Sequence, residues 1–265
     1  MKLSIITINY NNIEGLKKTV ASISQQTYPN VEHLIIDGGS TDGAQQFIRE
    51  HANCFSYWCC EKDKGIYNAM NKGVTRAQGE YVMFLNSGDC LAHENVLQEI
   101  ASELTGEDII YGDLIYQHPD GSLQTETYPK NLDITFFFEK SLPHPSTFIR
   151  RERLKECPYD EELKIVSDWK FWIQQIVLQQ ASYKHIARPI SIFQMGGVSS
   201  NLDNCNRERT FVLRQLFPGM LYSTLQTWCE WQQQPIYPII KRLMSLNRRM
   251  QRRIKPLLKL ILKFT

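Results

Sequence analysis

Apolar residues in the first hundred positions fall into short unbroken runs, separated by stretches with helical spacing. Residues 3–8 form a β-rich run that stops on Asn9-Tyr10-Asn11-Asn12, which reads as a strand and then a loop. Leu16, Val20 and Ile23 follow on one helical face. Residues 31–36 repeat the strand pattern and end on Asp37-Gly38-Gly39-Ser40-Thr41-Asp42-Gly43. There, glycine allows a tight turn, and Ser40 or Thr41 can cap the helix that holds Phe47 and Ile48. Residues 54–60 read as a third strand, and Ile66, Met70 and Val74 mark the next helix, closed by Gly79. Residues 81–85 are apolar without interruption, as a strand buried on both faces requires, and stop at once on Asn86-Ser87-Gly88-Asp89. Val96, Ile100 and Leu104 mark a further helix, and 108–111 a further strand. This alternation predicts βαβ units and an α/β fold with a mostly parallel sheet.

Beyond residue 112 the pattern changes. Residues 114–117 and 122–125 flank His118-Pro119-Asp120-Gly121, whose turn chemistry predicts a hairpin. Phe136-Phe137-Phe138 is an apolar cluster of either type, and 144–149 reads as a strand entered from a loop. Ser167-Asp168 precedes a helix carrying Phe171, Trp172, Ile176 and Val177. Residues 183–194 are extended and 201–217 helical by pattern. The expected organisation is one domain over 1–217, split into a ligand-binding half (1–112) and a second half (113–217). A helical extension over 218–265 follows it.

Charge sharpens that boundary. The formal net charge of +2 hides nine Lys/Arg and no acid in residues 235–265, so the first 234 residues carry 21 basic and 28 acidic side chains. Ile236, Ile240, Leu243, Met250, Ile254, Leu257 and Ile261 recur at helical intervals among those cations, with Pro256 as a break. This basic amphipathic tail suits an anionic membrane surface, or packs on the protein's own body. No nucleic-acid-binding module accompanies the charge, so no nucleic-acid partner is expected. Seven cysteines with no Cys-x-x-Cys pair favour reduced thiols. No signal sequence and no spanning apolar window is expected. Together these features point to a cytoplasmic protein, peripheral on the inner face of the membrane.

The strand ends carry the chemistry. Asn9, Asp37, Asp63 and Asp89 all fall just past a strand, where open α/β sheets bind ligands. Three bare carboxylates at one edge would repel each other. Mg²⁺ or Mn²⁺ shared with substrate phosphates, or a ligand rich in donors, relieves this. Taken singly, each Asp is equally a turn residue or helix cap. The chain has no Gly-x-Gly-x-x-Gly after the first strand and no Gly-x-x-x-x-Gly-Lys-Ser/Thr, which disfavours dinucleotide dehydrogenases and P-loop NTPases.

Four motifs in order resemble the family 2 glycosyltransferases, inverting enzymes of GT-A fold, and most of all the bacterial surface-polysaccharide type. They are Ser4 to Asn11, Ile36 to Gly43, Asp63-Lys64-Gly65-Ile66-Tyr67-Asn68-Ala69-Met70-Asn71-Lys72-Gly73, and Gly79 to Asp89. The likeness runs over roughly residues 2–200. It implies a nucleotide-sugar donor (UDP-, GDP- or dTDP-linked) and a glycan or polyprenyl-linked acceptor. Thr7, Asn9 and Tyr10 would line the nucleotide pocket. Asp37 and Asp63 would lie near the base and ribose, with Lys64 and Asn71 close by. Asp89 would bind the metal, Asp168 would be the general base, and His144 would lie toward the acceptor. Gly196-Gly197-Val198-Ser199 resembles a loop that closes over the site.

The chain departs from the family pattern in three places: Gly38 follows Asp37 where many members have a second acid, the metal motif offers one certain carboxylate, and Ser167 replaces a common Glu before Asp168. Other residues keep two readings. Trp169 stacks on a sugar or packs in the core, His144 orients a ligand or is structural, and Asp113 approaches the acceptor or makes a turn. Asp168 itself acts as the base or caps its helix. A sugar nucleotidyltransferase, or a catalytically inactive sugar-nucleotide-binding scaffold, is the alternative function. The basic Gly-rich first loop usual in nucleotidyltransferases is replaced here by Tyr10-Asn11-Asn12-Ile13-Glu14.

Overall fold

A computed structural model describes residues 1–196, 202–217 and 219–245, and among these residues the chain forms nine strands and ten α-helices. The strands are β1 (Leu3–Asn9), β2 (Val31–Asp37), β3 (Tyr57–Cys60), β4 (Tyr81–Phe84), β5 (Cys90–Leu91), β6 (Ile109–Gln117), β7 (Leu123–Glu126), β8 (Thr147–Arg150) and β9 (Tyr183–Gln194). The helices are α1 (Ile13–Ser24), α2 (Ala44–Glu50), α3 (Ile66–Arg76), α4 (Val96–Ala101), α5 (Ile134–Glu139), α6 (Arg151–Glu156), α7 (Ser167–Trp172), α8 (Leu202–Leu216), α9 (Met220–Gln232) and α10 (Tyr237–Ser245). Contacts divide the chain into units 1–212 and 213–265.

One sheet runs β3-β2-β1-β4-β8-β6-β9-β5, with β7 paired to β6. The expected parallel layer is its first four strands. The later strands are mixed: β8 enters antiparallel between β4 and β6, while β6 and β9 are parallel. Parallel register brings Asn9 opposite Asp37, and Asp37 opposite Cys60, so the polar strand ends collect at one edge.

The alternation of side chains across the sheet decides which helix each strand residue meets. Leu3 and Ile5 share a core with Ile23 of α1, Met83 of β4 and Val96, Leu97 and Ile100 of α4. Leu16 and Val20 of α1 pack with Ile35 and with Ala44 and Ile48 of α2. Ile6 points the other way, onto α3. There Gly73 leaves no room for a side chain: a Cβ would stand 2.5 Å from Ile6 Cγ2.

Three local expectations change. The third strand is shorter, because a 3₁₀ turn covers Ala52–Cys54 before β3 begins at Tyr57. The strand expected at 108–111 and the first hairpin strand fuse into β6, whose pairing with β9 shifts register around Asp113. Asp113 is therefore a strand residue rather than part of a turn. It is buried, accepting from Tyr128 N at 3.0 Å and bonded to His185 Nε2 at 2.9 Å. The Phe136-Phe137-Phe138 cluster is helical, in α5.

Of the expected tail helix, α10 lies within the described residues. Pro256 and the rest of the tail lie outside them, as do Gly197, Val198 and Ser199 of the expected closing loop. Among the described residues, no helix is long and apolar enough to cross a membrane.

Candidate active site

A cavity of about 530 Å³ opens at the strand-end edge, lined by residues from the ends of β1, β2, β3 and β4 and the start of α3. Asn9, Tyr10, Asn12, Gly38, Gly39, Asp63, Ile66, Asn86 and Ser87 are among its walls. Tyr10 is 69% exposed, a free ring at the rim that can stack on a planar ligand. Asp63 is held by Lys72 Nζ at 2.5 Å, and the same lysine reaches Glu61 at 2.7 Å.

Asp37 shapes the cavity from behind and is absent from its lining. Its Oδ1 accepts from the amides of Gly39 (3.1 Å) and Ser40 (2.8 Å), and its Oδ2 from Asn9 Nδ2 (2.7 Å) and Ser40 Oγ (2.6 Å). Four donors fill the carboxylate, so it folds the Gly38-Gly39-Ser40 loop rather than reaching for a ligand. Thr7 also stays inside the sheet, fully buried, with Oγ1 2.9 Å from His33 Nε2. It lies one strand turn too deep to line the pocket the resemblance assigned to it. Lys64 is exposed and outside the lining, its amide on Asn68 Oδ1 at 3.2 Å.

Asn71, placed near the nucleotide by resemblance, turns away from it. Its Nδ2 donates to Tyr159 O (2.8 Å) and Glu161 Oε1 (2.9 Å), and its Oδ1 accepts from Tyr159 N (3.0 Å). Asn68 Nδ2 adds Glu161 Oε2 at 2.8 Å. The conspicuous α3 motif thus grips the segment leading to Asp168. From the other side, Glu208 of α8 accepts from the amides of Lys164, Ile165 and Val166 at 2.9–3.2 Å. Asp168 itself sits half-buried in the first turn of α7, with Oδ1 2.8 Å from the Tyr67 hydroxyl.

His144 is half-buried, stacked on Phe84 with ring centroids 5.0 Å apart, and shares a 2.8 Å hydrogen bond with the Tyr159 hydroxyl. Burial pushes its imidazole below the usual value, against the pull of Asp168. Trp169 is 1% exposed, with its indole N–H on Phe137 O at 2.7 Å, so it packs in the core instead of stacking on a sugar.

The turn from Asn86 to Asp89 closes β4, with Asp89 N on Asn86 O at 2.9 Å. Gly88 makes it possible at φ +107°, a conformation that costs a side chain dearly. Three residues clamp the turn: Ser87 Oγ donates to Asn9 Oδ1 (2.7 Å), Asn12 Nδ2 to Ser87 O (3.1 Å), and Thr19 Oγ1 accepts from Gly88 N (3.0 Å). The Thr19 hydroxyl in turn donates, best to Asp89 O at 2.7 Å. The sequence signal for Thr19 was available: a polar residue on the apolar face of α1, between Leu16 and Ile23.

Residues 4–158 match the sequence profile of Glycosyl transferase family 2. The chain belongs to this family. An uncharacterised glycosyltransferase of Mycobacterium tuberculosis, MT1564, is 38% identical over 106 residues, which is 40% of this chain and 40% of that relative. The match thus spans two fifths of the length of that relative. S. aureus TarS (residues 1–349) in complex with UDP-GlcNAc shares the fold at TM-score 0.67 and 19% identity, covering 95% of this chain and 78% of that one. The mannosyltransferase PcManGT from Pyrobaculum calidifontis, in complex with GDP-Man and Mn²⁺, does so at TM-score 0.59 and 14% identity, covering 82% and 64%. The GT-A-like fold expected from the motifs is the fold observed. Asp168 lies beyond the matched family region, so its place rests on its own contacts.

Family membership raises the question of a divalent metal, and Asp89 tests it. The carboxylate is 5% exposed and, among the described residues, accepts one hydrogen bond, from Gln194 N at 3.2 Å. Burial, opposed by that one bond, pushes it up to about 8. At the other end of the same turn, Asn86 Oδ1 is buried with no partner among the described residues. Two under-used oxygens fit a hard cation in kind. They do not complete a coordination shell: among the described residues, no three His, Cys, Asp or Glu side chains converge. The remaining ligands would have to be substrate phosphates and water.

Proposed function

We propose that the protein is an inverting glycosyltransferase. It moves a sugar from a nucleoside-diphosphate sugar to a hydroxyl of a glycan or lipid-linked acceptor during surface-polysaccharide synthesis. The observation that carries this is the link through α3. Ile66 lines the cavity, and the next residue, Tyr67, holds Asp168, so one helix bears on both the donor pocket and the carboxylate. Relatives bound to UDP-GlcNAc and GDP-Man support a nucleotide-sugar donor for that pocket.

In this reading Asp168 accepts the proton of the acceptor hydroxyl as its oxygen attacks the anomeric carbon. The bond to the diphosphate breaks as the new glycosidic bond forms, and the nucleoside diphosphate leaves with the electron pair. A single displacement inverts configuration. The alternative double displacement needs a free nucleophilic carboxylate, and Asp63, the carboxylate in the cavity wall, is tied to Lys72. Asp89 and Asn86 would hold Mg²⁺ or Mn²⁺, which when bound neutralises charge on the leaving diphosphate. Tyr10 offers its exposed ring to the nucleobase, and Asn9 and Ser87 fix the floor beneath the diphosphate.

Asp168→Asn should lower sugar transfer into a bacterial membrane extract by about 10²–10⁴-fold, with donor binding unchanged. Transfer within a few-fold of wild type would end the base assignment. Thermal-shift measurements with UDP-, GDP- and dTDP-sugars, with and without Mn²⁺, identify the donor, because only a ligand of the native state raises the melting temperature.

The tail belongs to the same proposal as an attachment to anionic membrane. Ile236 and Ile239 are 56% and 60% exposed, and Lys241 and Arg242 follow on α10. Removing residues 235–265 should abolish co-flotation with vesicles containing phosphatidylglycerol; unchanged flotation would refute it.

A further inference from the structure

Asp168 meets α3 at one atom, and that atom has one proton for two acceptors. The Tyr67 hydroxyl oxygen is 2.8 Å from Asp168 Oδ1 and 2.6 Å from the Ile165 carbonyl oxygen. A phenol carries one hydrogen, so it serves one acceptor at a time. Burial first, and then the Asp168 charge, hold the Tyr67 phenol well above its usual range, so it stays a donor at any working pH. Asp168 Oδ2 has no protein hydrogen bond among the described residues.

The other groups facing Asp168 leave this choice to Tyr67. They are His144 before β8, Tyr159 before α7, and Cys205 and Arg209 of α8. His144 and Tyr159 are engaged with each other at 2.8 Å. Arg209 lies over the Trp169 ring at 5.1 Å, and Glu208 is occupied by the amides of residues 164–166.

We propose that the Tyr67 hydroxyl is a two-position rotor for Asp168. Its proton points at Oδ1 while Asp168 is a carboxylate, and swings to the Ile165 carbonyl once Asp168 has taken the acceptor's proton. The switch follows from acceptor strength. A carboxylate is a stronger acceptor than a peptide carbonyl, because the bond is charge-assisted. A protonated carboxyl oxygen is a weaker one. Both partners already stand at bonding distance, so only the O–H torsion changes. The proton count balances: the acceptor hydroxyl loses one, Asp168 gains it, and Tyr67 keeps its own. Tyr67 is thus a positioning residue that stabilises the base form and lets go of the spent form. This rests on Asp168 being the base.

The test needs no acceptor. In carbon-13-labelled protein, the Asp168 side-chain carboxyl and the Ile165 backbone carbonyl resonances are followed against pH. In wild type the Ile165 carbonyl should shift with the same midpoint as Asp168. In Tyr67→Phe it should stay flat. An Ile165 carbonyl that ignores the titration of Asp168 in wild type overturns the rotor, as does one that still follows that titration in Tyr67→Phe. The wild-type trace decides alone if that variant does not fold. The two readings fail separately: transfer surviving in Asp168→Asn removes the base role, whereas the resonance measurements address only the hydroxyl.

Discussion

Thr19 is remote from any ligand in sequence terms, yet its hydroxyl links α1 to both ends of the turn that carries Asp89. Thr19→Val keeps the shape and removes the hydroxyl. Gly88 N–H and Asp89 C=O then lose a buried partner, which costs about 1–3 kcal/mol. The same change loosens Asn86 and Ser87 in the cavity wall, so donor affinity should fall as well, while Thr19→Ser should restore both. Urea unfolding and donor titration read the two effects; wild-type values for Thr19→Val would show that the clamp is not needed. At this scale the sequence was a good guide to which residues sit at the strand ends and a poor one to what they touch. Asp37 and Asn71 stand in conspicuous motifs but spend their hydrogen bonds on backbone and loop. Whether a polar group faces a ligand or a neighbouring amide depends on turn geometry, which residue type does not encode.

Among the elements, α3 joins the two halves of the site. Ile66 faces the cavity, Tyr67 holds Asp168, and Asn68 and Asn71 hold the segment 159–161. Its height above the sheet is set by Gly73 against Ile6. Gly73→Ala gains helix propensity of about 1 kcal/mol. It also puts a methyl 2.5 Å from Ile6 Cγ2 in a fully buried contact, and overpacking of that kind costs about 1–3 kcal/mol. The clash should win. The variant should be destabilised and slower in transfer, and Ile6→Ala in the same chain should recover part of the loss relative to Ile6→Ala alone. Additive single effects would mean that the helix yields at no cost. The helix was legible from Ile66, Met70 and Val74. Its second role was not, because the partners at 159–168 lie some ninety residues away, and spacing within a helix says nothing about them.

For the whole molecule, the same division holds between local pattern and distant pairing. The first four strands are mostly apolar runs that alternate with amphipathic helices, so their parallel layer could be read directly. The insertion of β8 between β4 and β6 could not, since antiparallel pairing of Met83 with Phe148 leaves no trace in either segment alone. That layer also buries a titratable group with a global effect. His33 of β2 bonds to Thr7 and meets the Phe55 ring edge-on at 5.5 Å, and burial pulls its imidazole down to about 3. The unfolded chain takes up that proton below about 6.5, whereas the native state waits until about 3. Between these limits the unfolded state binds more protons, so acidification lowers stability by about 1.4 kcal/mol per pH unit. Asp89 works in the opposite sense over part of this window, because its raised carboxyl favours the ligand-free native state as pH falls. The wild-type curve alone therefore mixes two slopes. The difference between wild type and His33→Gln isolates the histidine. Wild type should be the more stable at pH 7.5, and its advantage should shrink by about 2 kcal/mol on going to pH 5.0. Urea unfolding at both pH values measures this, and a gap that does not change with pH would mean that His33 is protonated or solvated in the native sheet.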